Sequence, residues 1–95
     1  MKVMAIASPK AGLNPETLKV HMPREVPHTL QLYLDGKVEQ FWFREKKGPI
    51  FLMEAESVEQ AQATLATLPL VAADLMSYEV MAVGPLLPLG RLIQA

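Results

Sequence analysis

The sequence predicts an α+β domain of the ferredoxin-like type, in the order strand, helix, strand, strand, helix, strand, built on one antiparallel sheet. Three observations carry that reading. Residues 38–44 and 49–55 are two runs rich in aromatic and β-branched side chains, separated by Lys46-Lys47-Gly48, which is the pattern of a hairpin. Ser57, with Gln60 three residues on, opens an apolar stripe of Val58, Ala61, Leu65 and Leu68 that ends at Pro69, which is the pattern of a capped helix. Apolar runs of strand length stand at residues 3–7 and 75–83, near the two ends of the chain.

Taken in order, residues 3–7 are apolar on both sides and suit an interior strand, ended by Ser8-Pro9 and Gly12. Asn14-Pro15-Glu16 starts a helix, because an Asn side chain accepts from orphan amides and Pro is tolerated at the first helical position. Pro23 and Pro27 each remove a backbone donor and disfavour helical geometry in the residue before them. The first helix is therefore expected to be broken, regular over 27–35, with Met22, Val26, Leu30, Tyr33 and Leu34 on its apolar face and Gly36 as a left-handed stop.

A three-residue hairpin loop puts Gln40, Trp42, Arg44, Ile50, Leu52 and Glu54 on one sheet face and Phe41, Phe43, Phe51, Met53 and Ala55 on the other. A two-residue loop sets Glu39 opposite Glu54, an unfavourable like-charge pair, so the first register is expected. The last strand, 75–83, is apolar on both faces apart from Ser77, Tyr78 and Glu79. Helices cover one face of such a sheet, so its second apolar face is expected to be buried against the same face of another copy. The chain thus divides into a domain, 1–84, and a tail, 85–95, too broken by Pro and Gly for a helix and too apolar for water, which is expected to pack on a neighbouring subunit.

Composition excludes several classes. With 95 residues, 51% hydrophobic and 20% charged, the chain is a single globular domain, and one this short gains from association. The formal net charge is −1 and no basic cluster exceeds Lys46-Lys47, so nucleic acid is not an expected partner. Absence of Cys removes disulfide and thiolate chemistry. The N-terminal apolar run is too short for a signal-peptide core or a membrane span, and a soluble cytoplasmic protein is expected. With no phosphate loop, nucleophile elbow or clustered metal ligands in the sequence, neither a metal nor a cofactor is expected. His21 and His28, seven apart, are expected at the surface on the side of the first helix away from its apolar face.

Gly36, Trp42 and the run from Ser57-Val58-Glu59 through Thr64-Leu65 to Leu68-Pro69-Leu70 resemble the muconolactone isomerase family of dimeric α+β barrels, a likeness extending over roughly residues 25–80. The resemblance implies homo-oligomers of barrel dimers that exchange their ends, and a cofactor-free proton shift in a small lactone. In such a reaction a base takes a proton beside an unsaturated carbonyl, a donor stabilises the dienolate oxygen, and the proton returns at another carbon. Glu25 falls where the family also has a Glu in the first helix, which implies the base; by helical spacing it lies on the flank of the apolar stripe beside Thr29 and Leu32, either as a half-buried carboxylate suited to that role or as a partly solvated helix carboxylate near the broken turn. The two prolines of the first helix and the apolar ending depart from the family, whose own ending is polar and includes a His.

Arg44, Trp42, Gln40 and Glu54 share one expected sheet face and can offer a guanidinium and an indole N–H to a carboxylate or an oxyanion. Alternatively, Arg44 and Glu54 pair across a dimer seam with Trp42 in its core. Tyr33 and Tyr78 are further donors, or else core tyrosines. The expectation is a cofactor-independent isomerase acting on a small organic acid or lactone, with Glu25, Arg44 and Tyr33 catalytic and Trp42, Gln40, Glu54, Tyr78 and Thr29 in contact with substrate. Its rivals are a non-catalytic small-ligand-binding or oligomerisation module of the same barrel type, and a cofactor-free monooxygenase or a dehalogenase-like enzyme on the same scaffold.

Overall fold

A computed structural model of the protein describes residues 1–85; the tail beyond Pro85 lies outside the described residues, and with it the expectation that it packs on a neighbour. The elements are β1 (Lys2–Pro9), α1 (Pro15–Leu34), β2 (Val38–Arg44), β3 (Gly48–Glu54), α2 (Val58–Leu65), α3 (Pro69–Ala72) and β4 (Met76–Val83). The four strands form one antiparallel sheet in the order β2-β3-β1-β4, the ferredoxin-like topology the sequence predicts. No helix among the described residues is long and apolar enough to cross a membrane.

The hairpin takes the expected register, with Arg44 opposite Gly48 and Phe41 opposite Phe51. A bulge at Glu39 shifts the pairing so that Val38 meets Met53 and Gln40 meets Leu52. One sheet face carries Val3, Ala5, Val38, Phe51 and Met53, which with Leu32, Ala61, Leu65 and Leu68 from the helical side form the core. Each large side chain fully buried there contributes about 1.5–3 kcal/mol relative to exposure. On the opposite face Met4, Ile6, Ile50, Leu52 and Met81 are only partly covered and Trp42 is exposed. That face is an apolar patch with polar residues at its margins: Lys2, Gln40, Glu54, Ser77 and Glu79.

The first helix corrects the sequence reading in two respects. It is continuous over 20 residues, not broken. Pro23 and Pro27 are four apart and exposed, so the carbonyls that lose their partners, on Lys19 and Pro23, lie on the solvent side where water replaces the missing N–H. Its buried residues are Glu25 and Leu32, whereas Val26, Leu30, Tyr33 and Leu34 of the expected apolar face stay exposed. The N-terminus is capped by Asn14, whose side chain accepts from the amides of Glu16 and Thr17. The C-terminus closes in a Schellman motif: Gly36 takes φ 77°, its N–H donates to Tyr33 O, and Lys37 N–H donates to Leu32 O.

Ser57 caps α2 as predicted, its Oγ accepting from Gln60 N–H at 3.0 Å, while the Gln60 side chain accepts from Glu56 N–H. The short α3, four residues long, carries no periodic signal in the sequence. It opens on Pro69 and has no side-chain cap of its own. A buried group from α1 supplies one.

Candidate functional site

That group is the Glu25 carboxylate, whose Oε1 accepts from Leu70 N–H at 2.9 Å. Glu25 is the single buried charged residue among the described residues, at 7% exposure. A helix start leaves amides without partners and carries partial positive charge, so a carboxylate brought to it from another element is both satisfied and held in orientation. Oε2 makes no hydrogen bond among the described residues and is left for other chemistry.

Glu25 lies in the wall of a cavity of about 580 Å³ between α1 and the helix-facing side of the sheet. The wall is mostly apolar: Leu18, Met22, Val26 and Leu30 come from α1, and Phe41, Phe43, Phe51 and Met76 from the strands. Besides Glu25, the polar-tipped residues lining it are Thr29, Lys46 and Tyr78, with Trp42 at the rim. This is the usual character of a small-molecule site, a greasy concavity with a few polar groups.

Tyr78 stands at the sheet side of the cavity, its ring stacked on Phe51 with centroids 5.5 Å apart and planes 21° from parallel. Its hydroxyl is buried and has no hydrogen-bond partner among the described residues. Burial, and next the nearby Glu25 charge, push the phenol well above its usual range, so the group stays protonated and keeps an unused donor.

Of the residues singled out in the sequence, Glu25, Thr29, Tyr78 and Trp42 reach this cavity. Trp42 does so from the rim of β2, since the register sets its indole on the opposite sheet face, where it is 47% exposed. The expected convergence of Arg44, Gln40 and Glu54 lies on that opposite face too, so the sheet itself separates these three from Glu25. Arg44 is moreover committed to the backbone: Nη2 donates to Ala7 O at 2.6 Å and Lys47 O at 3.2 Å, and Nε donates to Gly48 O at 3.2 Å. Continued register sets Ala7 against Pro49, which has no N–H to give, and the guanidinium takes over that carbonyl.

Glu54 is bound to Lys2, which also pairs with Glu39. The bonds from the Met1 ammonium and then Lys2 hold the Glu54 carboxyl below the usual carboxylate range, and Glu39 above all raises Lys2. Gln40 is exposed. Tyr33 is 45% exposed, packs edge-on against Phe41 with centroids 5.5 Å apart, and is not part of the cavity wall. The histidines are partly buried, not on the surface as expected: His28 Nε2 lies 2.9 Å from Thr67 Oγ1, and His21 Nδ1 is buried with no partner among the described residues. No group of three or more ligating side chains able to hold a metal occurs among the described residues.

Two parts of the site were missed in the sequence. The Leu70 amide carries no side-chain signal at all. Lys46 stands in the turn between β2 and β3, where a lysine reads as solvated, yet it lines the cavity.

This arrangement of helices on a four-stranded sheet recurs in solved structures. The chain superposes on muconolactone isomerase with a TM-score of 0.70 at 19% identity, covering 90% of this chain and 90% of that one. The fold is that of muconolactone isomerase. It is equally shared with 5-chloro-2-hydroxyhydroquinone dehydrochlorinase (TftG) from Burkholderia phenoliruptrix AC1100, solved in complex with 2,5-dihydroxybenzoquinone, at a TM-score of 0.66 and 19% identity over 88% of this chain and 94% of that one. No family model matches the sequence, and no curated protein matches it. At this identity the likeness to both enzymes is one of fold.

Proposed function

We propose that the protein is a cofactor-independent enzyme that moves a proton within a small cyclic organic acid or lactone, with Glu25 as the base and Tyr78 as the donor to the substrate oxygen. One observation carries the reading: the single buried carboxylate among the described residues opens, beside an unpartnered tyrosine hydroxyl, onto an otherwise greasy cavity. A buried charge is costly and persists where its surroundings hold it. Here the Leu70 amide fixes one oxygen and leaves the other for a proton.

In the step proposed, Oε2 of Glu25 takes a proton from the carbon next to an unsaturated carbonyl. The electron pair moves onto the carbonyl oxygen, the Tyr78 hydroxyl donates a hydrogen bond to that oxygen, and the carboxylic acid, whose proton exchanges with solvent, delivers one proton to the far carbon of the dienolate. Atoms and charge balance without a co-reactant. The fold neighbours support the substrate class, since one is named for a lactone and the other for a chlorinated hydroxyhydroquinone, both small oxygenated rings. A second reading, a non-catalytic binder of small apolar ligands, is favoured by the near absence of polar groups from the rest of the cavity wall.

The test is proton NMR of muconolactone and related unsaturated lactones and acids in D2O with the wild type, Glu25→Gln and Tyr78→Phe. The proposal expects loss of C–H signal with the wild type, at least about 100-fold slower exchange with Glu25→Gln, and a smaller loss with Tyr78→Phe. Full activity in Glu25→Gln removes Glu25 from the reaction. Binding without exchange by the wild type favours the binder.

We also infer that a second copy covers the open sheet face. Met4, Ile6, Trp42, Ile50, Leu52 and Met81 make an apolar patch that a lone subunit leaves wet.

A further inference from the structure

We propose that Lys46 is the anion anchor of the cavity, so that its ligands are apolar ring compounds bearing one carboxylate. This rests on the reading of the cavity as a small-molecule site, and names which end of the ligand is held. Arg44, the cation that the sequence points to, is turned to the other sheet face and spent on three backbone carbonyls. Among the described residues Lys46 is the one cationic residue in the cavity wall, and it makes no ion pair with any of them. Because Lys46 is exposed while Glu25 is buried, the cation is at the rim and the base is inside. A ligand carboxylate is repelled by Glu25 and drawn to Lys46, which orients the ring inward with its reactive carbon toward Oε2.

The backbone supplies a second, independent observation. Lys46 is the third residue of the turn closed by Lys47 N–H donating to Arg44 O at 3.2 Å, and it takes φ 63°. That position favours glycine or asparagine, and a lysine there is strained. The chain carries a long cation at a place where the turn alone favours Gly or Asn.

The experiment is calorimetric titration at low salt with two matched pairs, phenylacetate with phenylacetamide and 2-naphthoate with 2-naphthamide. The proteins are the wild type, Lys46→Gly, Lys46→Met, Lys47→Gln and Glu25→Gln. The expected result is that the wild type binds each acid at least about ten-fold more tightly than its amide, and that both Lys46 variants lose this preference while amide binding is unchanged. Lys47→Gln removes the same charge from the same turn, outside the cavity wall, and is expected to keep the preference, which separates contact from general attraction. Lys46→Gly is expected to melt no lower than the wild type, since glycine is at ease at φ 63°.

Equal binding of acid and amide by the wild type, an acid preference that survives in Lys46→Gly and Lys46→Met, or no binding of any of the four compounds overturns the inference. An acid preference that persists in Glu25→Gln, together with no proton exchange by the wild type in D2O, defeats the isomerase reading and leaves Lys46 in place. Exchange without an acid preference does the reverse.

Discussion

Glu25 is asked to do two things, to cap α3 and to move a proton, and stability measurements separate them. Glu25→Gln keeps an oxygen to accept from Leu70 N–H and removes a buried charge, so it is expected to fold with unchanged or slightly raised stability. Glu25→Ala leaves the Leu70 amide without its acceptor. An unsatisfied buried donor costs about 1–3 kcal/mol, and because Glu25 borders a cavity that water can enter, the lower end, about 1 kcal/mol, applies. For a domain of this size that corresponds to a melting midpoint lower by roughly 4–8 °C in Glu25→Ala than in Glu25→Gln. The assay is urea and thermal unfolding followed by circular dichroism, at one fixed protein concentration because association raises apparent stability. Equal midpoints for the two variants refute the capping role. Destabilisation of Glu25→Gln by more than about 3 kcal/mol refutes the view that the carboxylate charge is held for chemistry, since breaking a needed buried ion costs that much.

Three further outcomes follow from the same geometry. The Tyr78 phenol titrates higher in the folded than in the unfolded chain, so its contribution to stability is complete below about pH 10 and is lost as pH rises above that, at up to about 1.4 kcal/mol per pH unit; Tyr78→Phe is expected to show a shallower fall in melting midpoint across that range. Gly48 has φ 90°, and a Cβ there meets Ala7 Cβ at 3.1 Å and the Met76 methyl at 3.2 Å, so Gly48→Ala is expected to cost at least about 1 kcal/mol in urea unfolding. Leu52→Lys puts a charge in the centre of the open sheet face and is expected to convert an oligomer to a folded monomer by light scattering; a wild type that is already monomeric contradicts the inferred pairing.

Local chemistry made most of the fold legible. Asn14, Ser57 and Gly36 act on their own neighbours, and the charges of Glu39 and Glu54 were enough to choose the hairpin register, even though the structure adds a bulge at Glu39 that lets both carboxylates meet Lys2. What depends on three dimensions is not legible in the sequence. Periodicity puts the buried face of α1 on Val26, Leu30 and Tyr33, because it cannot tell a core from the lip of a cavity; Val26 and Leu30 line the cavity while exposed, Tyr33 packs on Phe41 outside it, and Glu25 and Leu32 are the residues buried. The prolines counted against a continuous helix because sequence alone does not say that both lie on its wet side. α3, four residues long and capped from α1, exists only in the presence of its distant partner. Arg44 and Trp42 were placed correctly in register, but the cavity opened on the other face of the sheet.

The most direct measurement is a crystal structure of Glu25→Gln soaked with muconolactone. The account predicts the ring between α1 and the helix-facing side of the sheet, within hydrogen-bond reach of the residue 25 side chain and the Tyr78 hydroxyl, with its carboxylate toward Lys46. A ligand seated instead on the opposite sheet face, against Trp42 and Arg44, contradicts it.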